Sequence, residues 1–221
     1  MTFLELCKAL HLEAGMAGAG PASVTGQTGI LKKVVDWVAR AYLEIQTEEE
    51  RWRWLWRETT FQTVPGQREY NPFTDFQLST FNRWEQGSFY VQRPTALQRF
   101  PVFFIEWETF RNYTATVPNG LFLHYTFKPD HTLKLDSVPQ DSETVEFEYW
   151  RVPFEFVNNT DVPAFPAHHH KIILYKALMY YGADEEAPVI YQDAERNYLR
   201  YLERLRHSEL IQPRVHQPTL A

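Results

Sequence analysis

The stretch that decides the fold runs from residue 166 to residue 188, PAHHHKIILYKALMYYGADEEAP. Pro166 suits a first helical position, where its missing N–H costs nothing. Ile172, Ile173, Leu174, Ala177, Leu178, Met179 and Tyr180 then put apolar side chains on most sides of a helix over residues 168–181. Such a helix needs neighbours all round, so the sequence predicts it at the centre of a bundle. Gly182 is expected to end it, and residues 184–188 to turn the chain. A last helix follows, with Ile190, Ala194, Tyr198, Tyr201 and Leu205 on one stripe. Arg196, Arg200 and Arg204 follow one another at four-residue steps along another face. Arg206 complements the C-terminal end of the helix dipole.

The neighbours are found at the other end of the chain. Thr2 followed by Glu5 forms a capping box, and Phe3, Leu6, Cys7, Leu10 and Ala14 recur at helical spacing up to Gly15. After a connector rich in glycine and alanine, a second helix carries Ile30, Val34, Trp37, Val38, Ala41 and Ile45 on one stripe. Neither pair of helices buries its stripes alone, so first packs against last and whatever lies between is an insertion.

Between them the period changes. Trp52, Trp54 and Trp56 alternate with Arg51, Arg53 and Leu55, the pattern of a strand or of a tight turn onto a sheet. All seven tryptophans except Trp37 lie from Trp52 to Trp150. Turn chemistry punctuates this block at Pro65-Gly66, Asn119-Gly120, residues 128–131 and residues 139–142. The segments 121–127, 132–138 and 143–152 read as an antiparallel meander. The fold class is therefore α+β. A helical bundle of residues 1–50 and 164–207 carries an inserted, aromatic-rich antiparallel β domain over 51–163, a small barrel or sandwich. Residues 208–221, with Pro213 and Pro218 and no periodicity, form an extended arm.

Charge and composition exclude several classes. With 22 Lys and Arg against 28 Asp and Glu, the net charge is −6, which disfavours gripping DNA phosphate. The one cysteine, Cys7, closes no internal disulfide, which fits a reducing compartment, and no signal segment or membrane span is expected. The matches to the glycosylation pattern at Asn112 and Asn158 are accordingly set aside.

Each apparent site has a blander reading. The cluster Gly15, Gly18, Gly20 follows a helix where a phosphate loop follows a strand, and Lys32 stands three residues after Gly29. A connector fits better. His168, His169 and His170 point about 100° apart on a helix and cannot share one metal, so surface or capping roles are expected. Cys7 shares a helix face with His11, and a buried thiol is expected there. No catalytic motif, cofactor signature or metal-ligand set occurs, and the chain reads as a non-enzyme. The aromatics are expected to fill the core of a thin sheet, the competing use being a platform that stacks on glycans or single-stranded nucleic acid. Trp84, Phe103, Phe104 and Trp107 fit either core or docking patch. The Arg196, Arg200, Arg204 row is either a solvated face or a contact to an acidic face of a neighbouring subunit, with Asp184, Glu185 and Glu186, or residues 48–50, as the acids.

Three stretches resemble the head-to-tail adaptor (connector) proteins of tailed bacteriophages. The first is residues 4–46, with Ser23-Val-Thr-Gly-Gln-Thr-Gly29, Val35-Asp-Trp-Val38 and Glu44-Ile-Gln46. The second is residues 52–70, a Trp-rich run leading into Phe61-Gln-Thr-Val-Pro-Gly66 and Tyr70. The third is Asn159-Thr-Asp-Val-Pro163 through Pro166 into the 172–181 helix and the Arg-rich last helix. The resemblance implies a structural virion protein, made and assembled in the host cytoplasm, that forms a ring on the portal, commonly of twelve copies. Such a ring extends the DNA channel, lets the genome pass without sequence-specific binding, and offers a platform to tail or neck proteins. It further implies that the arm docks on the portal, at Leu210, Ile211, Pro213, Arg214 and Leu220. The alternative reading is a binding module whose aromatic β domain holds a glycan or single-stranded nucleic acid. A hydrolase using loop carboxylates has no supporting spacing.

Overall fold

The computed structural model describes residues 1–93, 98–112 and 120–211. The chain is α+β and divides into two compact units, Met1–Trp54 with Pro153–Ala221, and Leu55–Val152.

The first unit is a bundle of α1 (Phe3–Glu13), α2 (Gly29–Thr47), α4 (Lys171–Asp184) and α5 (Pro188–Glu209). Its central member is α4, which packs against the other three and buries Ile172, Ile173, Leu174, Ala177 and Leu178. The capping box forms as expected: Thr2 Oγ1 accepts from the Glu5 N–H, and the Glu5 carboxylate accepts from the Thr2 N–H at 2.9 Å. Gly15 ends this first helix at φ +65°, a left-handed conformation that glycine adopts without strain.

Several helix details depart from the periodicity. The stripe of α2 begins at Val34 and adds Val35, Tyr42 and Gln46, while Ile30 in the first turn is 39% exposed. On α5 the buried row is Ala194, Tyr198, Leu202 and Leu205, with Ile190 and Tyr201 only half-buried. Gly182 does not end α4. It lies inside the helix, where a Cβ would meet the Tyr191 backbone nitrogen at 2.9 Å, so the residue permits α5 to approach. The last helix also reaches Glu209, two residues into the expected arm.

Residues 153–163, expected with the β block, are bonded to helices instead. Gln46 donates to the Phe154 carbonyl at 2.8 Å and accepts from its N–H at 3.0 Å. The Phe156 ring stacks on Phe3 and Tyr42, at 4.6 and 4.0 Å. The carbonyls of Asn159 and Asp161 accept from the first free N–H groups of α1, those of Leu4 and Phe3. The side chain of Asn159 accepts from the Val24 N–H at 2.7 Å, which ties the glycine-rich connector to the same turn.

The second unit holds two sheets. In the first, β9 (Thr144–Arg151) is the spine: β1 (Trp56–Gln62) pairs along one side of it, antiparallel. Along the other side lie β3 (Phe81–Trp84) and β4 (Tyr90–Gln92), and β4 in turn pairs with β5 (Arg99–Pro101). The second sheet runs β2 (Glu69–Tyr70), β8 (Leu133–Leu135), β7 (His124–Phe127), β6 (Phe103–Phe104), with β6 and β7 parallel. A short helix, α3 (Trp107–Phe110), follows β6.

The meander therefore holds only for β7 and β8. The chain leaves the second sheet after β8 and joins the first, because the Glu143 carbonyl and N–H bond to the Thr63 N–H and Oγ1 and set β9 against β1. The two sheets share one core, in which Tyr70, Trp84, Phe89, Tyr125, Leu133, Val145 and Phe147 meet. That arrangement is of sandwich type. Trp84 sits 5.5 Å from Phe127, nearly parallel, and its indole N–H donates to the His131 carbonyl at 2.8 Å.

Candidate assembly surfaces

The surfaces of the bundle are built on α5 and its two ends. Because Ala194, Tyr198, Leu202 and Leu205 face inward, the helical period turns Arg196, Arg200 and Arg204 outward. Their partners lie on their own helix. Arg196 is 3.5 Å from Asp193, Arg200 donates to the Asn197 side chain at 2.9 Å, and the Arg200 and Arg204 guanidiniums lie 5.7 and 5.5 Å from the centre of the Tyr201 ring. Exposed pairs of this kind stabilise a helix by only about 0.3–0.5 kcal/mol, so holding these charges costs the bundle little.

Of the two acidic clusters, one makes its contacts within its own bundle. Glu48 accepts from Tyr198 Oη at 2.9 Å, and Glu49 accepts from Arg206 Nε at 2.7 Å. Glu44 likewise joins Tyr180, Arg40 and Lys176; burial works against its charge, but these donors together hold its carboxyl below the usual range. The other cluster stays outside. Asp184 meets Lys33 at 2.6 Å, while Glu185 and Glu186 are exposed at the turn from α4 to α5.

At this turn lies an open depression of about 320 Å³, lined by Gly182, Ala183, Glu186, Pro188, Tyr191 and Gln192. Val189 beside it is 71% exposed. Sequence reasoning missed this feature. The one signal was Gly182, a lining residue that the sequence reading takes as a helix stop.

The root of the C-terminal segment is anchored. Leu210 forms a β-bridge with Trp52, and the Ile211 N–H donates to the Arg51 carbonyl at 3.0 Å. Trp52 is fully buried and stacks on Trp54 at 4.6 Å, so the alternating tryptophans make a tight turn: a bridge at 52, a 3₁₀ turn over Arg53–Leu55, then β1. Ser208 Oγ lies 2.9 Å from His169 Nε2. Pro213, Arg214 and Leu220 lie outside the described residues.

The histidines are placed otherwise than expected. His168 is exposed, but His169 and His170 are buried, since the 3₁₀ turn Ala167–His169 rotates both inward. His170 Nε2 bonds the Phe165 carbonyl at 3.0 Å. Burial pushes both imidazoles below the ordinary value. Cys7 is a buried thiol, pushed up to about 12 by desolvation. Among the described residues no three His, Cys, Asp or Glu side chains converge as metal ligands, and no helix is long and apolar enough to cross a membrane.

In the β unit, Trp84 belongs to the core and Phe104 packs partly against it, while Phe103 is 58% exposed and Trp107 half-buried. The aromatics proposed as a stacking platform are thus mostly consumed by packing. Outside stand the charges along α5, the acidic turn and, among the described aromatics of the β unit, Phe73, Phe100 and Phe103.

These features define a scaffold that presents surfaces, built from a split helical bundle interrupted by a β sandwich. The family model of the SU10 adaptor protein matches residues 1–218, and the chain belongs to that family, one of phage head-to-tail adaptors. No curated protein matches the chain.

Proposed function

We propose that this phage adaptor assembles as a ring on the portal of the filled capsid, extends the DNA channel and carries the tail or neck proteins. The observation that carries this reading is the family match over nearly the whole chain, both units included. A net charge of −6, repeated around a channel, gives a lumen that repels phosphate and lets DNA slide without sequence-specific binding. A ring, with twelve copies the expected number, needs two different complementary patches on each copy, and the Arg196, Arg200, Arg204 row and the Asp184–Glu186 turn supply opposite charges. Portal contacts are assigned to the segment from Leu210 and Ile211 through Pro213, Arg214 and Leu220. Many copies of a short segment bind by avidity even where each is weak. The role is structural, without turnover of a substrate, in a protein assembled in the host cytoplasm and carried in the virion.

Mixing the purified chain with the portal of the same virus and imaging by electron microscopy tests this. The full chain is expected to form a ring beneath the portal, and a chain ending at Ile211 to lose it. Absence of association by either chain overturns the reading.

A further inference from the structure

We propose that the depression at the turn from α4 to α5 receives Leu199 of a second copy of this chain, with that copy's Arg196 and Arg200 against the acidic rim. The proposal rests on the ring reading above and names the contact through which neighbouring copies would meet.

On one side is a knob. Leu199 follows the buried Tyr198 yet is 54% exposed, an apolar side chain standing outside the buried row of α5. Arg196 and Arg200 stand beside it at the i−3 and i+1 positions, paired with Asp193 and Asn197 of their own helix, and the Arg196 side chain is 79% exposed. On the other side is a hole. Gly182, Ala183, Pro188 and Tyr191 give the open depression an apolar lining. Glu186 stands in its lining, with Glu185 exposed beside it in the same turn.

The occupant is a second copy because the charges match. An acidic-rimmed apolar hole selects an apolar side chain flanked by cations, and the chain carries that combination on its own surface. Rim charges steer the encounter and fix register, while the desolvated leucine supplies most of the affinity. Knob and hole are different residues, so a head-to-tail pairing of the two repeats from copy to copy around a ring.

Two experiments test it on the full chain with the portal. In the first, chains carrying Leu199→Cys are mixed with chains carrying Ala183→Cys and treated with a short bismaleimide; Cys7 is buried and does not compete. Linked adaptor dimers are expected. In the second, Arg200→Glu and Glu186→Arg are each expected to raise the concentration for half-assembly about tenfold, and the double variant in one chain to restore it. Both positions are exposed, so the folded state is retained, and circular dichroism checks this. Rings that form without the adaptor link and ignore both reversals overturn this contact while leaving the ring reading intact. So does a link from Ala183→Cys to the portal in place of a second copy. A parent chain that stays single, alone and with the portal, overturns both.

Discussion

Gly182 shows what one absent side chain permits. Alanine is favoured over glycine in a helix interior by about 1 kcal/mol, and an isolated α4 would gain from the exchange. In the folded chain the new Cβ would sit 2.9 Å from the Tyr191 backbone nitrogen, and backbone cannot swing aside as a side chain end can. Gly182→Ala is therefore expected to destabilise the bundle by about 1–3 kcal/mol, read as a fall in the midpoint of urea unfolding. His169 and His170 make the bundle sensitive to mild acid. Their folded-state values lie below the ordinary 6.5, His169 through burial and then its neighbouring histidines, His170 chiefly through burial. The unfolded chain thus binds more protons in this range, and stability is complete above about pH 6.5 and lost as the pH falls through the folded values. The melting temperature should drop between about pH 7.5 and about pH 5.5, and His169→Gln should shrink that drop. Glu69, held low by hydrogen bonds from Lys128 and Lys134, releases its share only at lower pH, as protons reach the carboxylate range.

Among the elements, β9 does the most to organise the inserted unit. Val145, Phe147 and Tyr149 alternate into the core, and three other strands pair along its two edges. Trp84 on β3 packs on Phe127, Phe89 and Phe147 at the centre of that core. Trp84→Ala is expected to cost the unit about 3–5 kcal/mol, measured by chemical denaturation of the 55–152 segment with its near-ultraviolet signal. The same strand explains why an insertion is tolerated. Trp56 of β1 pairs with Trp150 of β9, so the unit's two ends leave side by side, about 5 Å apart. Replacing residues 55–152 by a short glycine-rich loop should leave a bundle that still unfolds cooperatively. A non-cooperative melt with the helical signal lost would contradict that independence.

At the scale of the whole molecule, the chain separates holding from presenting. Salt links that could have been surface charge, Glu48 and Glu49 above all, are spent inside the bundle, and the large aromatics are spent in the sandwich. The root of the C-terminal segment is fixed by the Trp52–Leu210 bridge and the Ile211 N–H bond. Removing residues 212–221 should therefore leave the melting temperature within about 2 °C of the full chain, while portal association is lost. A large fall in melting temperature would show that the segment belongs to the fold instead.

The α+β class, the helices and the aromatic insertion were legible in the sequence because periodicity and local chemistry act over a few residues: the Thr2–Glu5 capping box, the Gly15 stop and the all-round apolar α4 all formed as read. Partner choice was not legible, because it depends on what lies opposite. The sequence could not tell that β9 leaves β8 to pair with β1, that residues 153–163 follow the helices, or that His169 and His170 face inward. Nor could it tell which of two acidic clusters is held by contacts to other helices of its bundle and which keeps Glu185 and Glu186 exposed at a turn. Gly182 marks the limit most clearly: in the chain it is a helix breaker, and only the backbone of α5 crossing beside it makes it a close contact.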